Sequence, residues 1–378
     1  MLEKIKAGEG VLGRLILVYL LWNAAGVLGG SLIYLYFKDA GVGVLNLVIS
    51  FLFWAVAPII VIHAFDKRNL SMRSLFIAGI LVQALSYLLL AAAPPSTMVL
   101  YAFSFLVGVN SFLFWVPFNT MFFELCKGRE ASLSSVYFAI NPIFGVFLPI
   151  AGGFIAQSFG FSVLFAAAFA AYLVVLPLAL FSVGKRNISF SLGSCLSDLR
   201  GFRSLVLVEG AYGGGIAASV TVISLLYFTT PSELGLFLSA TTLMSVLASF
   251  VVSRISDRFR KRRRFITYSG SALSLATVVA GLATSAIGWT SAISLRNFTS
   301  AIFYPFTTAI ILDKKRDVKG TMVAREWLLN YGRVAGISLV VFSSIALSDI
   351  HLSLLLLGLV ILTYPLLIVK KQPSIPVD

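Results

Sequence analysis

The chain is a succession of apolar blocks, and their length is its strongest constraint. From Val11 onward, runs of 20 or more residues rich in Leu, Val, Ile, Ala and Phe alternate with short polar loops. An α-helix rises about 1.5 Å per residue, so each block crosses about 30 Å, the hydrocarbon thickness of a bilayer. Backbone groups in lipid find no water, so each block must pair them internally, as a helix does. A β-barrel would show shorter, alternating segments. Only 12% of residues are charged while 59% are hydrophobic, about half the charged fraction of a soluble domain. The chain is therefore expected to be an all-α integral membrane protein with twelve transmembrane helices. The spans read as 11–37, 41–65, 71–93, 97–124, 132–157, 161–183, 203–228, 232–256, 265–285, 288–312, 321–346 and 350–370.

The loops orient the spans. One alternate set holds Lys4, Lys6, Lys67, Arg68, Arg73, Lys127, Arg129, Lys185, Arg186, Arg200, Arg203, the cluster from Arg258 to Arg264, Lys314, Lys315, Arg316, Lys319, Lys370 and Lys371; the other holds Lys38 alone. Basic residues stay on the cytoplasmic side, so both termini are expected in the cytoplasm of a multi-pass plasma-membrane protein. The net charge of +14 is thereby a topology signal and does not point to nucleic acid. The run from Val11 to Phe37 is too long for a secretory signal and is taken as the first span. Cys126 and Cys195 fall near cytoplasmic loops, which disfavours a disulfide frame. With two histidines in the chain and no cluster of ligating side chains, no metal or cofactor is expected.

The chain divides into two similar halves. The longest polar stretch, Gly184 to Arg203, separates residues 1–183 from 203–378, with 184–202 as a cytosolic central loop. Asp66-Lys67-Arg68 follows the second span and Asp257-Arg258-Phe259 the eighth. WVPFNTMFFEL (Trp115–Leu125) is echoed by FYPFTTAIILD (Phe303–Asp313), each late in the fourth span of its half. Duplication on this scale is the signature of transporters built from two pseudo-symmetric six-helix bundles.

At these residues the sequence resembles the major facilitator superfamily of secondary transporters, across essentially all twelve spans. The family carries Gly-x-x-x-Asp-Arg/Lys-x-Gly-Arg-Arg/Lys after spans two and eight. The second copy fits at Asp257, Arg258, Lys261 and Arg262 and departs at Ser253 and Arg260, where the family has glycine. The first keeps Asp66 and Lys67, with Ile62, Asn69 and Leu70 in place of the glycines and the basic residue. The resemblance implies a cytosolic gate at Asp257, Arg258, Asp66 and Lys67. The competing reading is that the basic cluster only sets topology and binds anionic lipid headgroups. A Gly-Pro-x-x-Gly-Gly pattern of exporters is partly kept in span five, as Pro149, Gly152 and Gly153 with Leu148 for the first glycine.

Charged residues inside a membrane are costly and mark function. Arg296 lies near the middle of span ten, where Thr299, Ser300, Phe303 and Thr307 continue its helical face. Because spans one, four, seven and ten line the cavity in the superfamily, the resemblance makes Arg296 the leading substrate contact, with a structural ion pair as the alternative. Asn23 in span one, Asn110 in span four and Tyr212 in span seven join Thr299, Ser300 and Phe303 as candidates; the asparagines could equally bond neighbouring helices. Glu209 in span seven is either a proton carrier or a fixed partner of a basic residue. In span eleven Glu326, Asn330 and Arg333 share a face (i, i+4, i+7), and either Glu326 or Glu209 could neutralise Arg333.

These readings lead to secondary transport by alternating access, with small-molecule solute and H+ as ligands, the lipid bilayer as solvent, no nucleic acid, and a monomer as the working unit. Proton-coupled efflux of a small organic solute is the first expectation, and ion-coupled or facilitated uptake of a small anionic metabolite the second. A non-transporting receptor or scaffold, or a lipid-modifying membrane enzyme, is the alternative of another class; no nucleophile or acid/base cluster marks the chain as an enzyme.

Overall fold

A computed structural model describes residues 2–125, 130–182, 186–256, 262–312 and 318–370. Helix dominates. In the first half run α1 (Leu2–Gly30), α2 (Ile33–Asp39), α3 (Val44–Phe65), α4 (Met72–Ala92), α5 (Thr97–Leu113), α6 (Trp115–Leu125), α7 (Glu130–Phe159) and α8 (Phe161–Ser182). A short α9 (Leu192–Asp198) follows, then α10 (Arg203–Tyr227), α11 (Pro231–Ser256), α12 (Arg262–Gly281), α13 (Ala286–Leu312), α14 (Val318–Ala346) and α15 (His351–Lys370). Among the described residues, ten stretches of helix are long and apolar enough to cross a membrane, with α1–α2 and α5–α6 each counted as one. The other two expected spans are helical as α12 and α13. Their Ser, Thr, Asn and Arg content, including Arg296 and Asn297, lowers their apolarity.

The ends of the helices follow local rules. Thr230-Pro231-Ser232-Glu233 opens α11 as a capping box: Thr230 Oγ1 accepts from Glu233 N at 3.3 Å, and Glu233 Oε2 accepts from the Thr230 and Thr229 amides. Pro231 takes the first helical position, where its missing N–H costs nothing. Ser71 and Ser96 cap α4 and α5 through the amides of Ser74 and Val99. Gly160, at φ +89°, makes the sharp turn between α7 and α8. Pro117 has no N–H to offer the Leu113 carbonyl, and span four breaks beside it, at Phe114, into α5 and α6.

Helices of each half pack mainly on one another: α3 on α5, α4 on α8 and α1 on α8; α10 on α14, α12 on α15 and α11 on α13. The halves meet where α7 packs on α11 and α3 on α14. The central stretch is more ordered than a bare loop. Strand β1 (Leu70–Ser71) pairs antiparallel with β2 (Asn187–Ile188), and α9 lies against α14.

The α10–α14 contact positions the polar centre. Gly210 and Gly214 on α10 lie against the Leu329 and Arg333 backbone of α14, and Gly332 and Gly336 on α14 against Leu207 and Ala211 of α10. A Cβ at Gly336 would lie 1.8 Å from the Ala211 carbonyl oxygen, and one at Gly210 2.2 Å from that of Leu329. Only glycine lets two backbones approach so closely, the familiar device of helix pairs in lipid.

Candidate functional site

A cavity of about 710 Å³ lies between α1 to α8 on one side and α10, α13 and α14 on the other. Four charged side chains face it: Glu209 from α10, and Arg325, Glu326 and Arg333 from α14. They form two ion pairs. Arg325 Nη2 donates to Glu209 Oε1 at 2.6 Å, and Arg333 Nη1 donates to Glu326 Oε1 at 2.9 Å. The second pair is braced by Asn330, which donates to Glu326 Oε1 at 2.8 Å and accepts from Arg333 Nη1 at 2.8 Å. The Arg333 guanidinium also lies 4.8 Å from the centroid of the Trp54 ring, a cation–π geometry.

Among the described residues, two arginines and two glutamates leave the cavity lining formally neutral. Glu209 is only 5% exposed and is the buried member of the quartet, whereas Arg325, Arg333 and Glu326 are 18%, 20% and 16% exposed. Both bonds of Arg333 use Nη1, so Nη2 and Nε remain for a planar two-oxygen acceptor.

The uncharged wall is aromatic and amide-rich. Trp22, Trp54 and Trp115 line it together with Asn23, Asn110 and Asn119. Asn110 Nδ2 donates to Gln83 Oε1 at 2.7 Å. Trp22 Nε1 and Asn110 Oδ1 on this wall, and Glu209 Oε2 from α10, have no hydrogen-bond partner among the described residues. Unpaired buried polar atoms are costly, and here they supply both donor and acceptor capacity to an occupant.

Of the substrate contacts expected from sequence, Asn23 and Asn110 line the cavity, and the residues expected to couple a proton or ion, Glu209, Glu326 and Arg333, lie with Arg325 on its charged side. Arg296, Tyr212, Thr299, Ser300 and Phe303 line neither this cavity nor the smaller one beside it. Arg296 Nε donates to Tyr212 Oη at 3.3 Å and its Nη1 to Asn297 Oδ1 at 2.9 Å. It ties α13 to α10, and Tyr212 in turn bonds Thr277 of α12 at 2.7 Å. Thr299 and Ser300 donate to carbonyls of their own helix, and Phe303 packs edge-on against Tyr364. Tyr304, the next residue of α13, lines the cavity instead. Sequence reasoning missed Trp54, Gln83, Asn119 and Tyr137; a lone polar or aromatic residue in an apolar span gives no periodic signal.

Asp257 and Arg258 lie outside the described residues. Their first-half counterparts hold the central stretch. Asp66 Oδ1 accepts from the Leu192 amide at 2.8 Å, at the start of α9, and the Lys67 amide donates to the Phe190 carbonyl at 2.9 Å. Lys67 adopts φ +59° to do so. The halves also touch at both ends of the cavity region. Lys38 Nζ donates to the Leu225 carbonyl, and the His63 and Trp327 rings lie 5.9 Å apart.

Residues 15–324 match the sequence model of the Major Facilitator Superfamily. No curated protein sequence matches the chain. Among solved structures, the human organic anion transporter MFSD10 (TETRAN) superposes with a TM-score of 0.71 at 14% identity, covering 96% of this chain and 99% of that one. A POT family transporter in complex with a thioalcohol-conjugated peptide gives 0.73 at 13% identity, with 96% of both chains covered. The E. coli fucose:proton symporter gives 0.66 at 15% identity, covering 95% of this chain and 98% of that one. At such identities the likeness is one of fold.

Proposed function

The chain belongs to the major facilitator superfamily, and from that premise we propose that it is a twelve-span, two-bundle secondary transporter that moves a small organic carboxylate together with a proton. The observation that supports this most is the neutral charge quartet on the cavity wall. A carboxylate entering alone would add an uncompensated charge to a poorly solvated space, at a cost of several kcal/mol. Binding to Arg333 loosens Glu326 from its partner, and a proton on the released glutamate restores neutrality. Solute and proton therefore bind as a neutral unit. The Glu209–Arg325 pair gives a second acceptor of the same kind.

Alternating access requires the contacts at the two ends, all of which are made in this structure, to open in turn. Lys38–Leu225 closes the outer end, while His63–Trp327 and the Asp66 tie to α9 close the cytoplasmic end, with Asp257 and Arg258 as the second copy of that gate. Both termini lie in the cytoplasm of a plasma-membrane protein acting as a monomer, without a cofactor and without enzymatic chemistry. The net direction is outward when the cell accumulates the solute, a reading that rests on the Pro149-Gly152-Gly153 pattern. In support, a Cβ at Gly153 would lie 2.6 Å from the Pro231 carbonyl oxygen, and one at Gly235 2.3 Å from that of Pro149, so the pattern sits in the α7–α11 contact.

Purified protein in liposomes carrying a pH-sensitive dye tests this. A panel of small carboxylates should give solute-dependent proton movement, lost in Arg333→Gln and kept in Arg296→Gln. Absence of solute-dependent proton movement for every carboxylate would overturn the proposal.

A further inference from the structure

A second cavity of about 470 Å³ opens beside the first, between α1, α7, α10, α11 and α13. Val27, Gly30, Tyr34 and Asn141 line both, so the two are adjoining chambers; Gly30 leaves the shared wall without a side chain. Their chemistry is opposite. The first holds two ion pairs and polar atoms without partners. The second has no charged lining residue among those described.

Four polar side chains of the second chamber, Ser31, Ser224, Ser245 and Asn297, are spent on the protein itself, beside Asn141, Thr221 and Thr242. Ser31 and Ser224 donate to the carbonyls of Val27 and Val220 in their own helices. Ser224 also accepts from Trp289 Nε1 at 3.0 Å. Ser245 Oγ donates to the Asn297 carbonyl at 3.3 Å. Asn297 is held at both ends, donating to the Thr241 carbonyl at 3.3 Å and accepting from Arg296 at 2.9 Å. A hydroxyl bonded to a backbone carbonyl shows a guest little more than its carbon. Between these stand Val220, Leu234, Leu238, Pro142 and Pro149. Polar groups already satisfied beside apolar side chains form a surface suited to hydrocarbon.

We propose that the second chamber is a tail site: the transported solute is an amphipathic carboxylate whose head sits at the charge quartet and whose apolar tail passes Gly30 and Tyr34 into the space beside Leu238. This rests on the transport reading above and adds the substrate class. It also gives Arg296 a task without solute contact, since it fixes Asn297 on the tail-chamber wall as a positioning residue.

The probes are straight-chain carboxylates from acetate to octanoate, with protein in phosphatidylcholine nanodiscs. Binding is read from the fluorescence of Trp22, Trp54 and Trp115 in the first chamber, against empty nanodiscs, and proton-coupled flux is read in liposomes. Burial of a methylene gives about fourfold in affinity, so binding should tighten about fourfold per carbon until the chamber fills. Leu238→Trp should bring the plateau to shorter chains and Leu238→Ala to longer ones. Merely structural damage would not lengthen the accepted tail. Flux without chain-length dependence would overturn the tail site and leave the transport reading standing, as would a plateau indifferent to both Leu238 variants. Failure of every chain length to move protons would overturn the transport reading itself.

Discussion

Arg325→Met removes a charge from a buried pair while keeping most of the side-chain length. Glu209, 5% exposed and bonded at 2.6 Å in the native chain, would then lose its cationic partner in a space where its other oxygen has no hydrogen-bond partner among the described residues. Breaking a buried pair from one side costs about 3–5 kcal/mol, whereas replacing both members by apolar groups is often neutral or better. The single variant should lose about that much, a hundredfold to several-thousandfold in the unfolding equilibrium. Adding Glu209→Leu should recover most of the loss. The assay is unfolding in mixed dodecylmaltoside–SDS micelles, followed by circular dichroism, for the native chain, both single variants and the double. A single variant as stable as the double would refute the view that these two side chains compensate each other in a poorly solvated site.

Gly336→Ala places a methyl against the Ala211 carbonyl and should cost about 1–3 kcal/mol by overpacking in the same unfolding assay; Gly213→Ala, whose Cβ meets nothing within 4 Å, should leave stability unchanged. Gln83→Leu strands the Asn110 amide, 2% exposed, and should cost about 1–3 kcal/mol, read in parallel. Asp66→Ala removes the acceptor for the Leu192 amide and should cost about 1 kcal/mol locally; limited proteolysis should cut residues 184–202 faster, with the helices intact.

Block length and the alternation of basic loops made the helical membrane architecture legible, because both are one-dimensional consequences of the bilayer. The Glu326–Asn330–Arg333 face was legible for the same reason: helical spacing alone brings those three side chains together. The partner of Glu209 was not. It depends on how α10 crosses α14, which the glycines at 210, 214, 332 and 336 decide by letting the backbones touch. Arg296 shows the other limit. The polar stripe around it lies on one helix, α13, but periodicity defines a face and not the neighbour it meets. That face turns toward Tyr212 and Tyr364, and Tyr304 one residue on reaches the cavity. The Asp66 motif likewise suggested a gate contact, while its carboxylate holds the start of α9, a helix within a stretch that looked like loop.

The most direct test of the central claim is the charge carried per transport cycle. In proteoliposomes with valinomycin and set potassium gradients, carboxylate flux should respond to an imposed pH difference and ignore an imposed membrane potential, because solute and proton cross as a neutral unit. Arg333→Gln should abolish the response. Flux driven by membrane potential alone, with no dependence on the pH difference, would contradict the account.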